Sequence, residues 1–169
     1  MSTKTKQSFA DWAMSQGACE DAVAWVGERT PQEAYEQCPR GDWLLWIAGR
    51  MADKLGWHSR QDVVLAACDC AERALKYVPE GDDRPRKAVE VARAWARGEV
   101  SLDAVKKAGA AAYAAYAAYA AYAAYAAAYA AYAADARETE QQAQASLIRA
   151  RLPLPKALED VSSSEVKRP

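Results

Sequence analysis

One histidine, His58, is all the chain has, and that scarcity removes most of the usual catalytic equipment at once. No His-containing dyad and no pair of metal-binding histidines on a helix can be built. No glycine-rich phosphate loop or nucleophile elbow stands in for them. Charge of one sign is missing too. The 22 basic and 23 acidic residues nearly cancel, so no global field steers the protein toward nucleic acid or an anionic membrane, and neither partner is expected. Met1-Ser2-Thr3-Lys4-Thr5-Lys6 carries positive charge, but no apolar run of signal-peptide type follows before Asp11. Secretion is not expected, and a cytoplasmic protein is. Alternation with a period of two is also missing, which excludes half-buried strands and points to an all-α fold. At 169 residues the chain fits one domain able to bury a core without disulfides or metals.

Four cysteines could suggest two disulfides or a zinc site. Cys68 and Cys70 are two positions apart on an evident helix, roughly 200° around its axis, so they cannot share one metal without breaking that helix. Zinc would need three separated cysteines to converge, with only His58 to help. Reduced, mostly buried thiols are expected, and no metal or other cofactor.

Helix punctuation divides the chain. A first helix is predicted over Phe9 to Met14 and a second from Cys19 to Gly27. Thr30-Pro31-Gln32-Glu33 reads as a capping box with proline at the first helical position, opening a short helix to Gln37. After Cys38-Pro39-Arg40-Gly41, Asp42 is the predicted N-cap of a helix running to Leu55, stopped by Gly56. Its apolar residues occupy most sides, which places it near the centre. The next helix, Arg60 to Val78, is expected to turn Val64, Ala67, Cys68, Ala71, Leu75 and Val78 inward. Asp62, Asp69, Arg73 and Lys76 would then face solvent. Pro85 opens another, ending at Gly98, with a core stripe of Ala88, Val91, Ala92 and Trp95; Arg86, Glu90, Arg93 and Arg97 form its solvated face.

The most unusual segment follows. Ser101-Leu102-Asp103 starts a long Ala/Tyr helix predicted over about 102–135, without proline and with a single Gly109. Tyr113, Tyr116, Tyr119, Tyr122, Tyr125, Tyr129 and Tyr132 are spaced by three, with one step of four. Each step of three falls about 60° short of a turn, so the rings wind around the axis and form no single stripe. One neighbour cannot cover them, and a homo-oligomer through this helix is expected. A membrane span is the competing explanation, because residues 108–134 hold no charge. The absence of Leu, Ile, Val and Phe argues against it, and packing through alanine and tyrosine is preferred. A polar continuation to Arg151, anchored by Leu147 and Ile148, stops at Pro153. The domain is therefore expected to span 1–152, with 153–169 a disordered tail.

Candidate chemistry is sparse. Asp62 and Asp69 share a helix face, which an amphipathic helix gives by default, and His58 reads as a surface or capping residue. The most suggestive group is Trp43, Trp46 and Arg50, within about 60° of one another on the helix that Asp42 opens. A guanidinium beside indole faces could stack a base or clamp an anion. The plainer alternative, an internal arginine bonded to a carboxylate between two core tryptophans, is the one this spacing favours. Arg84 and Arg86, in the loop Asp82-Asp83-Arg84-Pro85-Arg86-Lys87, offer a second polar site, with a solvated loop as its plain alternative.

Several stretches, in this order, carry a resemblance. They are Cys19-Glu20-Asp21-Ala22, Thr30-Pro31-Gln32-Glu33-Ala34, Arg40-Gly41-Asp42-Trp43-Leu44-Leu45-Trp46 and Leu65-Ala66-Ala67-Cys68. Asp83-Arg84-Pro85-Arg86-Lys87-Ala88 and Ala94-Trp95-Ala96-Arg97-Gly98-Glu99 follow. Over roughly residues 19–150 the chain resembles the fifth immunity-protein family of bacterial polymorphic toxin systems. The resemblance implies a bacterial or bacteriophage protein that neutralises another molecule. Two classes remain open: a non-catalytic protein that binds and blocks a toxin or immune factor, or a sponge that sequesters an anionic, nucleotide-like immune signal in an Arg/Trp pocket. An exposed patch would suit the first and a concave arginine-lined pocket the second. In either case Asp42, Trp43, Trp46, Arg50, Arg84 and Arg86 are the candidate contact residues, and no residue is assigned a catalytic role.

Overall fold

Helix starts in this chain are marked by short polar side chains that accept the first free backbone N–H groups. Ser8, Thr30 and Ser59 each do this, and the acid three residues on, Asp11, Glu33 or Asp62, reaches back to the cap's own N–H. The computed structural model describes residues 8–54, 56–78, 80–119 and 130–154. Among these residues are eight α-helices and no strand. They are α1 (Phe9–Ser15), α2 (Glu20–Val26), α3 (Pro31–Gln37), α4 (Gly41–Met51), α5 (Arg60–Ala74), α6 (Arg84–Ala96), α7 (Leu102–Tyr119) and α8 (Ala130–Arg151). A 3-10 turn, Leu75–Tyr77, extends α5. The protein is an all-α multi-helix fold, as its periodicity predicts.

The core lies where α4, α5 and α8 meet. Leu44, Ile47 and Ala48 of α4 pack with Val63, Ala66 and Cys70 of α5 and with Ala145, Ile148 and Leu152 at the end of α8. Ile148 and Leu152 are fully buried, each contributing about 1.5–3 kcal/mol of apolar transfer. On the far side of α5 lies α6, and α7 packs on α6. Tyr35 and Cys38 tie α3 to the same core. The Tyr35 hydroxyl donates to the Leu152 carbonyl, and Arg149 Nη1 donates to the carbonyls of Tyr35 (3.5 Å) and Cys38 (2.8 Å).

Several expectations need correction. Asp42 is not the N-cap of α4. Arg40 occupies that position, and Asp42 sits in the first turn. Its backbone N–H donates to Gln141 Oε1 of α8 at 3.3 Å, so a neighbouring helix satisfies the terminus that a capping side chain would otherwise serve. The same helix also stops at Met51. Asp53 takes a positive φ of 63°, its N–H donates to the His58 carbonyl, and its carboxylate accepts from the Arg60 N–H, which makes a compact turn into α5. Leu55 lies outside the described residues.

The inward face of α5 is also rotated from expectation. Val63, Ala66, Cys68 and Cys70 are buried, whereas Ala71 is exposed. Covered by α8 on one side and α6 on another, α5 brings its polar residues into interfaces. Asp69 bonds Arg93 of α6 at 2.6 Å and Arg151 of α8 at 2.7 Å, and Arg73 pairs with Glu140 of α8 at 2.8 Å. Arg93 is therefore not on a solvated face. It is about one-fifth exposed and also reaches Glu72 at 2.9 Å.

The middle of the Ala/Tyr run lies outside the described residues, as do the tyrosine side chains throughout it. The predicted winding of those rings, and the subunit contact expected from it, therefore concern residues not described. So does the tail from Pro155 onward. Leu154 still packs against the core. No helix among the described residues is long and apolar enough to cross a membrane.

Candidate functional site

Three arginines follow or precede tryptophans at helical spacing, and the fold gathers all three pairs around one cleft. Trp25 and Arg29 are four apart, Arg40 and Trp43 three, Trp46 and Arg50 four. At three or four residues, side chains on a helix or its flanking turn share a side. The guanidinium carbon of Arg29 lies 4.5 Å from the Trp25 ring centroid, that of Arg40 4.7 Å from Trp43, and that of Arg50 5.6 Å from Trp46. All three fall within cation–π range.

The cleft beneath them is formed by α1 to α4. Phe9, Trp25, Tyr35, Trp43, Trp46 and Ile47 are among its walls, and its lining is almost wholly apolar, with a volume of about 50 Å³. Trp25 and Trp43 meet across it at 6.0 Å, tilted by 56°. The site forms locally because α2 and α4 each present a tryptophan to the same space. Its floor is the core itself, through Tyr35, Leu44 and Ile47.

Electrostatics differ around the rim. Arg40 grips Asp42 with two hydrogen bonds, Nε to Oδ1 at 2.8 Å and Nη2 to Oδ2 at 2.6 Å. Those bonds lower the Asp42 pKa from its ordinary value and raise that of Arg40. Arg29 donates to the Trp25 carbonyl. Arg50 is exposed and makes no ion pair among the described residues. It reaches the α1–α2 turn, where Gly17 sits at a φ of 83° and a Cβ would lie 3.9 Å from Arg50 Nη2. At the floor, burial pushes the Tyr35 hydroxyl up to about 12 and raises the Cys38 thiol. Both stay protonated at neutral pH.

Of the residues singled out by sequence, Asp42, Trp43, Trp46 and Arg50 come together at this cleft. Arg50 is not the internal, carboxylate-bonded arginine that the plainer expectation described. Arg84 and Arg86 lie on a different element, the start of α6, which packs against α5 and α7. There Arg84 Nε and Nη2 donate to Asp82 at 2.8 and 3.0 Å, and Arg86 is exposed. Trp25, Arg29 and Arg40 are missed by sequence reasoning. Their spacing of three or four was the available signal, but it points to a shared cleft only once α2 and α4 are known to face each other.

Other polar candidates have structural partners. Asp62 accepts from the Ser59 N–H and hydroxyl, Asp69 holds two arginines, and His58 Nε2 lies 2.8 Å from the Pro153 carbonyl. Cys68 Sγ faces the Val89 carbonyl of α6, whereas Cys70 joins the core. Among the described residues no three His, Cys, Asp or Glu side chains are grouped to hold a metal. The cleft can therefore offer stacking, apolar burial and charge-assisted hydrogen bonds.

Compared with known families, residues 53–144, just over half the chain, match the family described as "Imm-5 like putative immunity protein". The match runs from the α4–α5 turn into α8 and leaves the cleft outside it. No curated protein and no solved structure matches the chain.

Proposed function

Since the chain belongs to the Imm-5 like immunity-protein family, we propose that it neutralises a toxin by stoichiometric binding, without turnover. The contact face is the α4 side bearing Asp42, Trp43, Trp46 and Arg50, with Arg84 and Arg86 as a second contact at the start of α6. One observation carries this reading: three tryptophans, each with an arginine over its ring, surround a small apolar cleft. Tryptophan and arginine dominate the energetics of protein interfaces because each combines a large apolar surface with a directional polar group.

The same cleft speaks against the nucleotide sponge. A drug-sized or nucleotide-sized ligand needs a pocket of roughly 300 Å³ or more, and this one has about 50 Å³. No charged side chain among the described residues is fully buried, so none is ready to hold an enclosed phosphate. The four cysteines are free, which suits the reducing cytoplasm as the place of action.

Titrating the protein into a candidate toxin domain from its gene neighbourhood tests this reading. Toxin activity should fall linearly and vanish near one equivalent. Clearance of toxin in excess of the protein would mean catalysis. A nucleotide released from the freshly purified, denatured protein and seen by mass spectrometry would favour the sponge.

A further inference from the structure

The cleft is small and the charges at its rim are of one sign where they are unpaired, and together these restrict what can enter. Its walls are apolar and its volume is about 50 Å³, so it accommodates one uncharged side chain and rejects a phosphate or a carboxylate, whose desolvation nothing inside would offset. Over the three tryptophans that line it stand the guanidiniums of Arg29, Arg40 and Arg50. Arg40 is neutralised by Asp42. Among the described residues Arg29 and Arg50 have no carboxylate in an ion pair. Glu33, the acid closest to Arg29 in sequence beyond the adjoining Glu28, is held by the Thr30 N–H and hydroxyl at 2.9 Å each. Arg29 gives Nη1 to the Trp25 carbonyl and its charge also acts on Glu33, which leaves it part of its guanidinium, whereas the exposed Arg50 makes no ion pair among the described residues and is held over the Trp46 face beside the apolar cleft.

We infer that the cleft takes one large apolar side chain of a partner polypeptide in which Asp or Glu residues flank that side chain. The apolar group enters between Trp25, Trp43 and Trp46, and the flanking carboxylates bond Arg29 on one side and Arg50 on the other. This rests on the binding reading above and deepens it by giving the chemistry of the partner. It also adds Trp25 and Arg29, on α2 and just after it, to the contact face.

Panning random phage-displayed peptides on the full-length protein tests the inference. Enriched sequences should share a Trp, Phe or Leu with acidic residues on both flanks. Resynthesised with Asn and Gln for the acids, such a peptide should lose affinity on the order of tenfold or more, and Arg50→Ala should cause a comparable loss. Arg29→Ala should do the same provided its melting temperature is unchanged; the exposed Arg50 keeps the test open if it is not. Absence of enrichment, enrichment of basic or non-acidic sequences, or binding indifferent to Arg50→Ala overturns the inference. Displacement of the peptide by single-stranded DNA would assign the face to nucleic acid. Displacement by a synthetic peptide of residues 156–166 would assign it to the chain's own end, and a dimer abolished by Arg50→Ala would assign it to a second copy. Each of these three also overturns it. If the peptide results fail while one equivalent still silences the toxin, only this inference falls. If the toxin is not silenced, the functional reading falls first.

Discussion

Gly41 sits where α4 crosses α8 so closely that a Cβ would stand 2.6 Å from Gln144 Cβ and 3.2 Å from the Ala145 nitrogen. Real side chains do not approach that closely, and the obstruction is mostly backbone. Gly41→Ala is therefore expected to destabilise the fold by about 1–3 kcal/mol in chemical denaturation, the scale of overpacking. Adding Gln144→Gly should recover only part of the loss. An unchanged midpoint would mean the two helices are not in contact there. The cysteines make a second test at this scale. Cys19 is exposed, whereas Cys38, Cys68 and Cys70 are buried, with burial raising their thiols and pushing Cys70 to about 11. Only a thiolate reacts quickly with a disulfide reagent. One fast thiol in the native protein, and four after denaturation, is the expected count in Ellman titration; two or more fast thiols would contradict the core packing.

Among the elements, α5 holds the fold together through charge as well as apolar contact. Glu140 of α8 accepts from Arg73 at 2.8 Å and is held below its ordinary value of 4.5, chiefly by that bond. A carboxyl whose folded pKa is depressed stabilises the protein above its unfolded value, and that contribution disappears as pH falls through the folded one. Thermal stability should thus drop as pH falls below about 4.5. Glu140→Gln should lower stability by about 1 kcal/mol at neutral pH and flatten part of the acid limb. Equal stability of the variant at pH 7 would leave the Arg73 pair without a stabilising role.

How much of an element could be read from sequence depended on how many neighbours it has. The start of α3 was legible because Thr30, Pro31 and Glu33 form a local motif, and Ile148 was legible as an anchor in a polar stretch. On α5 a one-sided pattern was expected, but α6 and α8 cover two sides of it. The partial burial and pairing of Asp69, Arg73 and Arg93 depend on partners far away in the chain. The candidate site divides the same way. Trp43, Trp46 and Arg50 share a helix and were found from spacing, whereas Trp25 and Arg29 join them only through the packing of α2 against α4.

For the molecule as a whole, the matched family region and the cleft occupy different parts of the chain. Residues 53–144 make up α5, α6, α7 and much of α8. The cleft is built from α1 to α4, with α4 bridging the two by packing on α5 and α8. An exposed Arg50 on that bridge can be removed without opening the core, which makes it the cleanest probe of the binding claim. Calorimetric titration of the toxin domain with wild-type protein, Arg50→Ala and Arg84→Ala, each also melted alone, is the most direct test. The account predicts one-to-one binding, weakened by about 1.5–3 kcal/mol in Arg50→Ala with Tm unchanged, the scale of a lost charge-assisted hydrogen bond. A lowered Tm with undiminished affinity of the folded fraction, or heat continuing beyond one equivalent as substrate is consumed, would contradict it.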